Sequence, residues 1–535
     1  MRLYPLFITA LAWAVSVVVY AQQPSFALPI NPPIYFSGNF GEIRANHFHG
    51  GLDFKTGGAI GKPVYALGDG YVSKIRVTHG SGYVLEIAYD NGYTTINRHL
   101  SAFTDEIAER VEELQYEQQS WEVEIIPEPG EYVVKAGQKI ALSGNTGYSF
   151  GPHLHLDVIE TDTGDSVDPL PFFKNKIIDH TAPRAMGIRL YPQPGEGVAE
   201  GMTAWGVIGV GLRAYDYMDE VHNRYGVYRV SLSVDGKETF RSIVDRFAPA
   251  ESRMINAWAD GQYMKSFIEP GCTLRMLQAL NDRRGLLTID EERPYHLVYT
   301  LSDALGNTSK VTYVIQGKRM PIVPMPQADK YIFRWERTNL LQEPGMSLVV
   351  PRGNLYSDAY LNYAVRADST ELSYVYQLHD RHIPLHGRAT LRIRLRRTLH
   401  TDSTKYYVAS INAKGERSGV KGSYADGYLT ATIRELGTYV AAIDTVPPKV
   451  TPLNPARWIR NGRIIYKVED KHTGIQSYRG TIDGKYALFG IPNSINERLE
   501  YRIDRKRIGK GRHTIEVTVT DMCGNVTVRT DTIML

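Results

Sequence analysis

His153 and His155 stand two residues apart in Gly151-Pro152-His153-Leu154-His155-Leu156-Asp157, an apolar run that reads as a β-strand. Side chains at i and i+2 of a strand leave the same face of the sheet, so both imidazoles enter one site. Such a pair alone serves metal binding, proton transfer or plain packing. Well upstream, His49-Gly50-Gly51-Leu52-Asp53 offers a further imidazole and a carboxylate. Two imidazoles and one carboxylate make a three-ligand set that leaves the fourth zinc position to water, the arrangement of a hydrolytic site.

A sheet must bring these residues together. Between 50 and 173 the chain alternates short apolar strands with glycine turns: 64–67, 70–77, 83–89, 93–99, 139–143 and 153–159 read as strands. Asn91-Gly92 between two alternating runs is a strong hairpin signal. Residues 105–119 break the pattern. Ile107, Val111 and Leu114 recur there at helical spacing among acidic residues, which predicts a helix inserted between strands. It reads either as a wall or lid beside the site or as a surface insertion. Residues 22–41, with Pro29, Pro32 and Pro33, read as a lead-in too broken for a helix.

The whole chain has 535 residues, too long for one core, and three or four domains are expected. Its 61 basic and 58 acidic residues nearly cancel, which argues against nucleic acid as the main partner. Residues 1–21 read as a signal peptide: Arg2 is followed by an apolar stretch, with a small residue at Ala21 before Gln22. No cysteine follows that stretch, which argues against a lipoprotein anchor, and no other segment is long and apolar enough to cross a bilayer. Export to the periplasm, the cell envelope or the medium is expected. Cys272 and Cys523 are too few and too far apart for a disulfide framework and read as free structural residues.

After residue 178 the texture is uniformly β. Asp179-His180-Thr181-Ala182-Pro183 and Asp444-Thr445-Val446-Pro447-Pro448 look like related linkers. Matching pieces follow each in the same order: Val234-Asp235-Gly236-Lys237 with Ile482-Asp483-Gly484-Lys485, and Asp303-Ala304-Leu305-Gly306-Asn307 with Asp521-Met522-Cys523-Gly524-Asn525. This predicts a duplicated immunoglobulin-like β-sandwich at 179–319 and 444–535, flanking a β-rich middle domain at 320–443. Within the middle domain, residues 391–397 alternate apolar and basic residues and read as a half-buried strand with a solvated basic face.

The N-terminal motifs resemble one family. His49-Gly50-Gly51-Leu52-Asp53, Arg98-His99-Leu100 and Gly151-Pro152-His153-Leu154-His155 occur in the order found in the lysostaphin/LytM-type zinc metallopeptidases, the peptidoglycan endopeptidases. Asp69-Gly70-Tyr71-Val72 and Ser143-Gly144-Asn145-Thr146-Gly147 support the match, which covers about 40–173. The resemblance implies a mainly β, lysostaphin-like peptidase domain over 22–178 holding one Zn2+ per chain on His49, Asp53 and His155, with His153 and His99 as the catalytic pair. The family usually has a tyrosine two residues before the histidine matched by His99; here that residue is Asn97, a departure that bears on a groove contact. His47 reads as a rim neighbour of His49, and Asp157 as a hydrogen-bond partner of a ligating imidazole or an ordinary strand residue.

The activity so implied is hydrolysis of peptidoglycan stem-peptide cross-links or cross-bridges. The family cuts either glycine bridges or the link between D-alanine and a diamino acid, and the second is the expected substrate. The alternative is a non-catalytic or partner-activated adaptor that regulates other wall hydrolases. In a third reading the C-terminal β-modules bind an envelope protein or wall polymer and are the working part.

Overall fold

The computed structural model describes residues 25–325, 331–379 and 382–535; the expected signal peptide lies outside them. The protein is mainly β throughout, as expected. In the N-terminal part the strands are β1 (Phe36–Gly38), β2 (Gly51–Lys55), β3 (Gly70–Thr78), β4 (Gly82–Tyr89), β5 (Tyr93–Leu100) and β6 (His153–Glu160). They pair antiparallel in the order β1-β2-β6-β5-β4-β3. A second, three-stranded sheet of Pro63–Tyr65, Lys139–Leu142 and Ala102–Phe103 shares its core. Alternation explains the layering: Leu154, Leu156 and Val158 of β6 enter the core, while His153 and His155 take the other face.

The six strand windows and the helix α1 (Asp105–Gln118) stand where the sequence puts them. The lead-in is less idle than it reads. Phe26, Ile30 and Phe36 are buried in the N-terminal core, and β1 forms the edge of the sheet beside β2. Ile107 and Val111 of α1 face that same core.

The remaining chain forms further β-modules. An eleven-stranded sheet built on the long strands Arg184–Glu200 and Thr203–Met218 encloses Trp258, Phe240 and Tyr299. Two five-stranded sheets follow, in which Leu391 and Ile393 are buried and Arg392 and Arg394 exposed, the half-buried strand expected there. The last module has a three-stranded and a four-stranded sheet around Trp458, Tyr466 and Phe489. Cys272 and Cys523 are unpaired and buried. The repeated motifs also fold alike. Asn307 Nδ2 donates to the Asp179 carbonyl at 3.1 Å and to Asp303 Oδ2 at 2.7 Å. Asn525 Nδ2 does the same to Asp444 and Asp521, at 3.0 and 2.8 Å.

Contacts between the modules run in a closed circuit. Ser166–Val167 pairs with Arg246–Phe247 across the first junction, and Arg275 bridges Asp165 and Glu251. Phe40 and Phe48, although N-terminal, sit in the core of the second module against Phe247. Tyr356 Oη donates to the Arg253 carbonyl, and Lys405 Nζ to the Cys523 carbonyl, at the next two junctions. The last module then returns to the first. Arg507 lies 3.6 Å over the Tyr116 ring and pairs with Glu112, so α1 is a docking face rather than a helix standing free beside the groove. Trp121 lies flat against Gly490, where a Cβ would come within 2.1 Å of the indole.

One junction carries a pH-dependent cost. Asp168 is buried beside Asp245, and burial followed by that neighbouring carboxylate pushes its carboxyl up to about 7 from 3.8. A raised carboxyl pKa stabilises the fold below the unfolded value and loses that contribution as pH rises through the folded one. Stability therefore falls between pH ~4 and ~7. Asp168→Asn keeps the acceptor used by the Leu170 amide. Calorimetry is expected to show it stabilised at pH 8 by on the order of 2–4 kcal/mol and little changed at pH 4.

Candidate metal centre

Strand pairing assembles the cluster. Asp53 on β2 and His155 on β6 are direct antiparallel partners, so their side chains leave the same face side by side. Gly51 permits the approach of the two strands, since a Cβ there would lie 2.1 Å from the Leu156 carbonyl oxygen and 2.9 Å from Asp157 Oδ1. His49, just before β2, is anchored by the Asn39 carbonyl, which accepts from its Nδ1 at 2.6 Å. Its Nε2 then faces Asp53 Oδ1 and His155 Nδ1, each at 3.1 Å, and His155 Nδ1 is 2.8 Å from the same Asp53 oxygen.

The second nitrogen of His155 fixes its role. Nε2 donates to Asp157 Oδ1 at 2.6 Å, and Arg98 Nε donates to Asp157 Oδ2 at 2.8 Å. With Nδ1 of His49 and Nε2 of His155 both donating outward, the atoms turned inward are two lone-pair nitrogens and a carboxylate oxygen. With His155 in its neutral form, three acceptors converge there, which suits a cation. Edges of 2.8–3.1 Å are close to the roughly 3.3 Å expected for a tetrahedral zinc site with its usual bond lengths. Nitrogen and oxygen donors together with a hydrogen-bonded carboxylate behind an imidazole fit zinc.

The electrostatics agree. Burial alone would raise the Asp53 carboxyl, but His49, His153 and His155 outweigh it and hold the group well below the usual range. Burial would lower His155, yet Asp157 and Asp53 raise it to about 9. A cation held by His49, Asp53 and His155 would take the place of the proton on His155. Asp157 is held low by Arg98 and His155 against the effect of burial.

His99 reaches the cluster by an irregularity. Strict alternation along β5 places it with Asn97, on the core face opposite Arg98. Its backbone is instead left-handed, with φ at 60°, which returns its ring to the site, 4.9 Å from that of His153. Its Nδ1 donates to the Thr146 carbonyl at 2.7 Å, and His153 Nδ1 donates to the Gly151 carbonyl at 2.8 Å. His153 Nε2 lies 3.5 Å from Asp53 Oδ1. Burial, then the neighbouring His155 and His153, push His99 down to about 3.

The structure thus brings together His49, Asp53, His99, His153 and His155. His47 stays outside, exposed, with Nδ1 on the Ala45 carbonyl. Asn97 turns away from any groove, being only 1% exposed and bonded to the Leu85 carbonyl. Two neighbours were not legible in the sequence. Arg98 acts through Asp157, which only the register of β5 on β6 reveals. Arg44 reaches Glu42 at 2.8 Å and the second Asp53 carboxylate oxygen at 3.4 Å from a two-residue strand, Ile43–Arg44, that has no sequence signal. The loop holding His99 is braced from the far end of the chain. Gly147 exchanges backbone hydrogen bonds with Pro492 and Ser494, and Asn493 Nδ2 donates to the Asn145 and Ser149 carbonyls.

Losing the Asp157 carboxylate charge should loosen the cluster without dismantling it. Asp157→Asn is expected to weaken zinc binding roughly 10–100-fold, measured by chelator competition, and Arg98→Ala less.

Comparison with known proteins places these observations. A family model described as a Zu5-like domain matches residues 330–444. The peptidoglycan DD-endopeptidase ShyB of Vibrio cholerae is 37% identical over 111 residues, 21% of this chain and 20% of that protein. The glycyl-glycine endopeptidase ALE-1 of Staphylococcus capitis is 31% identical over 134 residues, 24% of this chain and 30% of that protein. The chain thus spans under a third of the length of either relative. The crystal structure of a zinc-containing peptidase from Vibrio cholerae aligns at 30% identity over 26% of this chain and 37% of that one, with a TM-score of 0.20. Over about a quarter of its length the chain is similar to the lysostaphin/LytM-type zinc metallopeptidases.

Proposed function

We propose that the protein is an exported zinc endopeptidase that hydrolyses peptide cross-links of bacterial peptidoglycan, acting in the periplasm or cell envelope. The observation that carries the reading is the convergence of three lone-pair donors, His49 Nε2, Asp53 Oδ1 and His155 Nδ1, beside two further imidazoles. His49, Asp53 and His155 would hold one zinc. When bound, zinc lowers the pKa of a coordinated water to about 7 and polarises a carbonyl.

The chain's own groups divide the proton work. His99 is kept neutral by its surroundings and has Nδ1 committed to Thr146, so its Nε2 accepts a hydrogen bond and orients the attacking water. His153, with Nδ1 on Gly151 and Nε2 near Asp53, takes up the proton and delivers it to the leaving amine. Five oriented side chains favour this enzyme over a non-catalytic adaptor. The relatives' names include both a DD-endopeptidase and a glycyl-glycine endopeptidase, and the D-alanine to diamino acid cross-link is the substrate we assign.

The test is the chain without residues 1–21, incubated with purified walls of each cross-link type while its metal is assayed. One zinc per chain and release of uncross-linked muropeptides are expected, both abolished by chelation and restored by zinc. Inertness on both wall types with zinc bound would end the enzyme reading.

A further inference from the structure

We propose that the outer face of the 179–319 module binds the free carboxylates of peptidoglycan stem peptides, on a strip of arginines laid over tyrosine rings. Alternation along Thr203–Met218 creates the strip. Leu212, Ala214 and Asp216 are buried, so Arg213, Tyr215 and Tyr217 leave the opposite face. Strand pairing adds an arginine on each flank. Arg184 is the direct partner of Tyr215, and Tyr225 pairs with Asp216, which brings its neighbour Arg224 alongside. Each guanidinium lies over a ring: Arg184 is 5.2 Å from the centre of Tyr217, Arg224 5.1 Å from that of Tyr215, and Arg213 5.7 Å from that of Tyr263.

These cations have no anion of their own. Among the described residues, none of Arg184, Arg213 and Arg224 has a carboxylate at ion-pair distance, and Asp260, the strand partner of Tyr263, is taken by Arg189 at 2.6 Å. The chain as a whole carries 61 basic and 58 acidic residues, so this excess is local. Arg213 Nε is buried without an acceptor, which leaves that guanidinium short of the oxygen partners it would have in water. A guanidinium stacked on a ring keeps its N–H edge free, and that edge matches the two oxygens of a carboxylate. The tyrosines add apolar faces tipped by a hydroxyl, which suit the C–H faces and hydroxyls of the sugars that carry the stem peptides.

The strip adjoins the metal centre. Val221–Tyr225, which carries Arg224, packs against the first sheet: Tyr225 Oη donates to the Phe36 carbonyl at 2.8 Å, and Asn223 Oδ1 accepts from Lys55 Nζ at 2.6 Å. Lys55 stands two residues after Asp53 on β2 and is the register partner of His153. A polymer held at the metal centre therefore has the strip beside it. That position favours stem-peptide carboxylates over other anions, since a wall strand cut at the centre carries further stems along the same glycan. The polymer's identity rests on the hydrolase reading above, whereas the anion strip itself does not.

The experiment uses the zinc-loaded His153→Ala chain, chosen so that wall is held without being cut. It measures pelleting with purified peptidoglycan whose free carboxyl groups are either intact or converted to amides. Amidation is expected to weaken binding at least about tenfold, and adding Arg184→Gln and Arg224→Gln should weaken binding to intact wall by roughly as much. The arginine variant should lose little more on amidated wall, and salt should weaken the parent more than the variant. Both substituted residues are exposed, so zinc content and melting temperature should not change. If the variant fails to fold, the amidation comparison on the parent decides. A parent indifferent to amidation would overturn the assignment, as would a variant that binds intact wall as well as its parent. So would tighter binding to phosphatidylglycerol vesicles than to wall, lost in the variant. Hydrolysis by wild type is read separately. A wild type that cuts nothing while the carboxylate dependence holds would sink the hydrolase and leave the strip, and cutting with normal binding by the variant would sink the strip alone.

Discussion

His155→Ala is expected to lose zinc and activity together, whereas His153→Ala should keep zinc and lose activity alone. The geometry separates the two residues although they share a strand face. His155 gives Nδ1 to the triangle with His49 and Asp53 and is locked from behind by Asp157. Without it two donors remain, and Asp53 loses one of the imidazoles that hold it ionised. His153 has its Nδ1 committed to Gly151 and its Nε2 at 3.5 Å from Asp53, outside the triangle. Its loss removes proton transfer, which is worth about 10²–10⁴-fold in rate. Metal analysis and muropeptide assays on both variants make the comparison. Zinc retained at full stoichiometry by His155→Ala would refute the ligand assignment, and wild-type turnover by His153→Ala would refute the proton-transfer role.

Residues 22–178 expressed alone should fail to form a tight zinc site. Phe40 and Phe48 flank the segment leading into His49, and they are only 4% and 2% exposed because the second module's core covers them. The Phe48 amide also donates to Ser252 Oγ, and Asn39, whose carbonyl holds His49, exchanges hydrogen bonds with Gly226. Uncovering two phenylalanines forfeits about 3–6 kcal/mol of burial, comparable to the net stability of a domain. The segment carrying His49 then has little to order it. Chelator competition is expected to show zinc affinity at least tenfold below that of the longer chain. Phe48→Ala in the full chain should reproduce part of the loss at a cost of about 3–5 kcal/mol. Equal zinc affinity in the short and long chains would show that the second module is dispensable.

The parts of this protein legible in its sequence are those governed by a period. His153 and His155 fall on one face because strands alternate, and α1 announces itself through Ile107 and Val111. The strand that carries Asp53 has no such signal. It opens on glycine, and all of Gly51–Phe54 is buried, so alternation is lost. His99 defies the alternation rule through its left-handed backbone, and its place beside His153 is a property of the fold. Phe40 reads as part of the lead-in and Phe48 carries no signal of its own, because their partners, Phe247 and Trp258, lie in another module.

The closed circuit of module contacts changes what a break in the chain means. In an open string of domains, one cut peptide bond lets the two pieces diffuse apart. Here a cut between the second and third modules leaves two fragments joined at two separate places. One is the Arg253–Tyr356 junction, and the other is the return of Asn493 and Arg507 onto the first module. Each contact holds the other's partners at an effective concentration set by a few folded domains, so two individually weak interfaces act as one strong one. Severing the polypeptide is therefore not the same as separating it, and the brace on the His99 loop survives a nick that would release the last module from a linear chain.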